Sequence, residues 1–331
     1  MKILIIRFSS IGDIVLTSPI VRCVKEQIKG AEIDFLTKNS FTPLVKHNPH
    51  IKSVIALNQD LKVTIKALKA SKYDIVIDLH KNLRTTQIKR NLKAKWFTYN
   101  KLNIRKWLFV NFKLDILPNV HIVDRYFEGL NKLEVKNDNK GLDYFLSTDY
   151  KASSFLTNLT SRSFTIISIG GTYATKRISN TLLVTVIKRL KTLCVVIGGG
   201  KEDQQNADEI TKYLSPDSVL NLVNKISIED SAYLIKNSQN ILTGDTGMMH
   251  IAAAFKKPII SVWGNTHPKL GMYPYLPKSK ENLFSVHQVK LNCRPCSKLG
   301  SVKCPRQHFN CMNLQNVDEI VKNCNSIEYV Q

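Results

Sequence analysis

With 331 residues, 43% of them hydrophobic and 22% charged, the chain has enough apolar material for one large or two medium globular domains. No run of eighteen apolar residues exists to span a bilayer, Ile3 to Ile6 is too short for a signal-peptide core, and a cytoplasmic protein is expected, its seven cysteines being reduced thiols or metal ligands. Lys and Arg number 48 against 26 Asp and Glu, a formal charge of +22 that favours nucleic acid, anionic lipid or a phosphorylated substrate without naming one of them.

Lys2 to Phe8 reads as a buried parallel strand. The turn Ser9-Ser10-Ile11-Gly12-Asp13 follows, then a helix to about Ile28 that Pro19 either kinks or opens behind Ser18. Asp13 suits a helix cap. It equally suits a functional carboxylate, because a turn at a strand's C-terminal end faces the crevice of an α/β fold and a helix N-terminus keeps the group ionised. Strands over 32–37, 54–57 and 73–79 alternate with helices over 43–47 and 61–70, which indicates a parallel doubly wound sheet. Lys81 and Arg84, just beyond the fourth strand, are the best placed to face a cleft.

Residues 79–114 contain no acid, ten basic residues and six aromatics, among them Trp96 and Trp107. That composition suits an anionic lipid surface or single-stranded nucleic acid, or else a solvated face whose aromatics belong to the core. Residues 131–141 read as an exposed loop. The Ser/Thr-rich stretch from Ser147 marks the junction, giving domains 1–147 and 148–315 and a C-terminal helix over 316–331.

The second half opens with a strand over 164–169 and the loop from Gly170 to Arg177, which lacks the Walker spacing. A strand over 193–197 runs into Gly198-Gly199-Gly200-Lys201-Glu202, and further elements follow at 219–222 (strand) and 228–237 (helix). Asn240 to Thr243 is a strand, Gly244 to Gly247 a tight turn and Met248 to Phe255 a helix stopped by Pro258. A glycine turn feeding a helix leaves backbone N–H groups open to an anion, usually phosphate, and Asp245 and His250 stand where they reach the same ligand. Without such a ligand, Asp245 is simply the helix N-cap. Cys293, Cys296, Cys304 and Cys311 follow the C-x2-C-x7-C-x6-C spacing of a possible structural zinc site, with buried reduced thiols as the alternative.

Asp245-Thr246-Gly247-x-x-His250 followed by alanines, and Ser9-Ser10-x-Gly12-Asp13 after the first strand, resemble the bacterial lipopolysaccharide heptosyltransferases. These are inverting glycosyltransferases of the GT-B fold that use ADP-heptose. The resemblance implies two Rossmann-like domains facing across a cleft, acceptor on the first and donor on the second, with the C-terminal helix crossing back. It makes Asp13 the general base. Thr172 and Lys176 would hold the donor diphosphate, Asp245, Thr246 and Gly247 the sugar and diphosphate, and Glu202 the ribose, with His250 in support. Arg7, Ser10, Gly12, Lys81 and Arg84 fall on the acceptor side. No metal is implied for the chemistry, and the chain has no Asp-x-Asp pair. The acceptor would be an anionic glycolipid at the inner face of the cytoplasmic membrane. Other readings are a GT-B enzyme with a UDP donor or an epimerase reaction, and a nucleic-acid-binding protein with a zinc knuckle over 293–311, in which the donor motif would have no purpose.

Overall fold

Two parallel sheets organise the chain in a computed structural model that describes residues 1–326. They belong to two compact units: Met1–Lys101 with Val120–Asp149, and Leu102–Asn119 with Tyr150 onward. In the first unit, β1 (Lys2–Ile6) leads to α1 (Ile11–Val15) and α2 (Ser18–Gln27), then to β2 (Glu32–Lys38) and β3 (Ser53–Leu57). Helix α3 (Leu61–Ser71) precedes β4 (Ile75–Asp78), α4 (Leu83–Asn91) and β5 (Lys95–Thr98). Helix α5 (Asn103–Phe112) groups with the second unit, and α6 (Ile122–Glu128) with the first.

The strand order is β3-β2-β1-β4-β5, all parallel. Apolar runs such as Ile3–Ile6 and Ile75–Ile77 fill it because helices cover both faces of such a sheet. The single helix expected up to Ile28 is two, and Pro19 sits in the first turn of α2, where its missing N–H is not needed. The helix expected at 43–47 is a 3-10 turn over Asn39–Leu44 with Pro43 inside it. The 131–141 loop is tied down, since buried Arg22 donates to Asp138 (2.7 Å) and to the Gly141 carbonyl (3.0 Å).

The second unit runs through α7 (Ser154–Thr160), β6 (Phe164–Ser168), α8 (Asn180–Ile187), β7 (Leu193–Ile197), α9 (Lys201–Thr211) and β8 (Val219–Asn221). It continues with α10 (Ile228–Asn237), β9 (Asn240–Thr243), α11 (Gly247–Ala254), β10 (Ile259–Trp263), β11 (Phe284–Gln288), α12 (Asn310–Asn313) and α13 (Val317–Asn325). The order β11-β10-β9-β6-β7-β8 is the 3-2-1-4-5-6 arrangement of a dinucleotide fold, and the first sheet is its five-stranded counterpart. Ligands of such sheets gather where strand order reverses, between β1 and β4 and between β6 and β9.

One segment departs from a contiguous two-domain chain. Leu102–Asn119 joins the second unit because Lys298 Nζ donates to Asn103 Oδ1 (2.7 Å), Lys113 Nζ donates to the Pro295 carbonyl (2.6 Å), and Phe109 stacks edge-on against His267. Helix α13 packs on α8, β9 and β10 of its own unit through Ile320, Val321 and Cys324. The rest of the helix expected at 316–331, from residue 327, lies outside the described residues.

Candidate active site

The turn after β1 is held from beneath. Buried Arg7 donates through Nε to the Ser9 carbonyl (2.9 Å) and through Nη1 to the carbonyl of Leu79, just past β4. Its Nη2 pairs with Asp13 Oδ1. Asp13 Oδ2 accepts from Ser10 N (3.2 Å) and Ser10 Oγ (2.8 Å), so the carboxylate does act within a capping box of α1. Its side chain remains 22% exposed. Arg7 therefore ties Asp13 to the backbone after β1 and after β4. Gly12 is buried inside α1.

At the end of β4, Asp78 Oδ1 accepts from His80 N (2.9 Å) and Lys81 N (2.7 Å), and Lys81 adopts a left-handed φ of 52°. Lys81 Nζ bonds the Tyr99 carbonyl (3.1 Å), so this lysine is turned back onto the fold. Arg84 instead lines a cavity of about 410 Å³ with Phe8, Ser9, Lys38, His80, Asn82 and Leu83. Burial, with Arg7 and Lys101 nearby, pushes the His80 imidazole down to about 4, which keeps it neutral at physiological pH. Sequence reasoning passed over Lys38 and His80. Their one signal was position, each standing at or just past the C-terminal end of a strand beside β1 or β2.

In the second unit the loop after β6 meets the turn after β9. Lys176 Nζ lies 2.7 Å from Asp245 Oδ2, with the two side chains only 18% and 11% exposed. Thr266 Oγ1 donates to the same Asp245 oxygen (3.0 Å). Gly244 is required there, since a Cβ would stand 2.5 Å from the Lys176 carbonyl oxygen. Thr246, not Asp245, is the N-cap of α11, and its hydroxyl is 3.0 Å from Thr243 Oγ1 and makes no capping bond. The first-turn amides of α11 thus have no side-chain cap, as an anion site requires. His250 is buried in the second turn.

A loop, an ion pair and a helix start without a side-chain cap thus stand at the strand-order reversal between β6 and β9. Residues 62–303 match the family model described as glycosyltransferase family 9 (heptosyltransferase). The chain belongs to this family. Lipopolysaccharide heptosyltransferase 1 of Campylobacter coli is 27% identical over 292 residues, covering 80% of this chain and 84% of that protein. Lipooligosaccharide heptosyltransferase 2 of Campylobacter jejuni is 25% identical over 339 residues and covers 99% and 98%. Among solved structures, a family 9 glycosyltransferase from Veillonella parvula superposes with a TM-score of 0.80 at 18% identity, covering 98% of this chain and 96% of that one. An Escherichia coli heptosyltransferase, WaaC, solved with ADP, gives 0.66 at 21% identity, covering 91% and 96%. The fold is GT-B and the protein is a glycosyltransferase.

The remaining second-unit candidates, Thr172 and Glu202, lie after β6 and after β7. Thr172 is an exposed loop residue. Glu202 opens α9, 71% exposed, with Oε2 2.5 Å from Arg177 Nη1. Arg177, which sequence reasoning gave no role, also donates through Nε to the Gly171 carbonyl (3.0 Å) and so ties the two glycine loops together. Asp203, its buried neighbour, accepts from Gly199 N (3.0 Å).

Among the described residues no three His, Cys, Asp or Glu side chains are arranged to hold a metal ion. Cys311 is drawn into the second-unit core by α12, whereas Cys293, Cys296 and Cys304 stay half-buried in the loop before it. Burial pushes the Cys311 thiol up to about 11. Among the described residues no helix is long and apolar enough to cross a membrane.

Proposed function

We propose that this family 9 glycosyltransferase moves a heptose from ADP-heptose to a sugar of a lipid A-linked lipopolysaccharide core, inverting the anomeric carbon. The observation that carries the reading is the Lys176–Asp245 pair beside the uncapped start of α11, a site for a diphosphate and the sugar attached to it. The names of the two Campylobacter relatives, a lipopolysaccharide and a lipooligosaccharide heptosyltransferase, and the ADP in the WaaC structure support the same donor and acceptor class.

In this mechanism the acceptor hydroxyl oxygen bonds to the anomeric carbon from the face opposite the diphosphate, and Asp13 takes its proton. The carbon–oxygen bond to the β-phosphate breaks and its electron pair stays on ADP. Lys176 and the α11 amides offset the charge that grows there, with Thr172 on the diphosphate. Glu202, released from Arg177, bonds the ribose hydroxyls, and His250 backs the turn. The charge stabilisation is assigned to these groups and not to a cofactor. Arg84 and Lys38, lining the first-unit cavity, meet an anionic acceptor. Working on a glycolipid places the enzyme at the inner face of the cytoplasmic membrane.

The test is a melting series with ADP, UDP, GDP and CDP, followed by product formation from ADP-heptose. Selective stabilisation by ADP is expected, reaching about 2.7 kcal/mol at a hundredfold excess over Kd. Asp13→Asn should keep that shift while turnover falls roughly 100-fold or more. Preference for UDP, or full turnover by Asp13→Asn, would overturn the donor or the base respectively.

A further inference from the structure

Helix α5 carries two apolar faces, and only one of them is used by the fold. Lys106 and Phe109 turn inward and are buried, while both helix ends are tied to the 293–298 loop by the Asn103–Lys298 and Lys113–Pro295 bonds. On the other side, Ile104 is 76% exposed and Trp107 55%, and Phe112, Leu114 and Ile116 beyond them are also exposed. The loop that Lys298 anchors against the helix adds Leu299 and Val302, both exposed. A cluster of large apolar side chains in open solvent marks an interaction surface, where scattered single residues would not.

The charge along the segments that build this face is almost all positive. Residues 79–114 and 282–317 contain no acid, and Asp115, between Leu114 and Ile116, is the one acid in the segments 103–116 and 298–303. Arg105, Lys303 and Arg306 are exposed. The nearest acid in sequence, Asp115, is paired with Lys269.

We infer that α5 and the 298–303 loop form the face by which the protein seats on an anionic lipid surface. The apolar row, with the Trp107 indole among it, enters the boundary between headgroups and acyl chains while the cations meet lipid phosphates. Short apolar segments ringed by cations fit such a boundary better than a second copy of this chain, since two faces of the same positive sign repel each other. The inference rests on the glycolipid-acceptor reading for its purpose. Within the 79–114 stretch to which sequence composition pointed, it puts the docking face on α5 and not on Lys89–Lys95.

Vesicles of phosphatidylglycerol and phosphatidylcholine, without any sugar acceptor, separate this inference from the enzymatic reading, because binding is read without catalysis. Wild-type protein should bind anionic vesicles at least tenfold better than neutral ones, less so as salt rises, and acyl-brominated lipid should quench Trp107. The triple variant Ile104→Ser, Trp107→Ser, Phe112→Ser should lose binding at least tenfold while keeping its ADP-induced melting shift. Arg105→Gln, Lys303→Gln, Arg306→Gln should lose the preference for anionic lipid. Replacing Lys89, Arg90, Lys93 and Lys95 by Gln should have the smaller effect. Equal binding to neutral and anionic vesicles, or none, overturns the inference. So does a triple variant that binds like wild type, or a dimer of the free protein that the triple variant breaks without any vesicle binding.

Discussion

Lys176 and Asp245 hold each other before any donor arrives, and that pairing makes opposite predictions for its two halves. Both side chains are largely buried, with Nζ and Oδ2 at 2.7 Å. Lys176→Met keeps the length of the side chain but leaves Asp245 with Thr266 alone. Removing one partner of a buried pair costs roughly 3–5 kcal/mol; with the water access these two retain, we expect about 2–3 kcal/mol. For a unit of about 200 residues that lowers Tm by about 4–12 °C. Lys176→Met/Asp245→Asn should be less destabilised than the sum of the single variants, by roughly 0.5–3 kcal/mol.

Affinity for ADP should split the other way. Lys176→Met loses the cation that meets the diphosphate and binds ADP more weakly. Asp245→Asn frees the same ammonium from its internal partner, so ADP should bind several-fold tighter even as transfer from ADP-heptose slows. Calorimetric titration of the three variants decides the matter. Unchanged Tm and ADP affinity in Lys176→Met, or equal weakening of ADP binding in both single variants, would refute the reasoning.

Two further outcomes are expected. Arg7→Met should lower turnover, because Asp13 loses the guanidinium that orients it, and Arg7→Lys should restore much of it; a kcat equal to wild type in Arg7→Met would mean that Arg7 only supports the fold. His80 and His267 are both held down to about 4 from 6.5, burial being the main cause, so each is neutral when folded and takes a proton on unfolding below pH 6.5. Their contribution is therefore present above pH 6.5 and lost as pH falls toward 4; urea midpoints should drop across that window, and a flat midpoint would contradict the burial argument.

Much of this architecture was legible because its signals are local. Apolar runs of four or five residues announce parallel strands, and the glycine turns before α9 and α11 announce ligand loops. What stayed hidden depends on partners far away in the chain. Arg7 looks like a ligand-facing cation from its place after a strand, yet Leu79, 72 residues on, turns it under Asp13. Lys81 has the same apparent position and is folded back by Tyr99. Helix α5 sits in the first half of the sequence, but its ends bond to residues more than 180 positions away, which no local pattern encodes.

The two units solve one electrostatic problem twice. A protein of formal charge +22 must keep a few carboxylates where chemistry needs them without leaving them to whichever lysine is nearest. In each unit the strand-order reversal provides one buried or half-buried cation for one carboxylate: Arg7 for Asp13 and Lys176 for Asp245. The partners differ in kind for a reason. A guanidinium anchored by two backbone carbonyls is fixed and orients its carboxylate, as a base requires. An ammonium on a flexible stem can be shared or handed over, as a group that must greet an arriving diphosphate requires. On this argument, exchanging the two cation types, Arg7→Lys and Lys176→Arg, harms the second site more than the first, because a guanidinium fitted to Asp245 is slower to give up its partner.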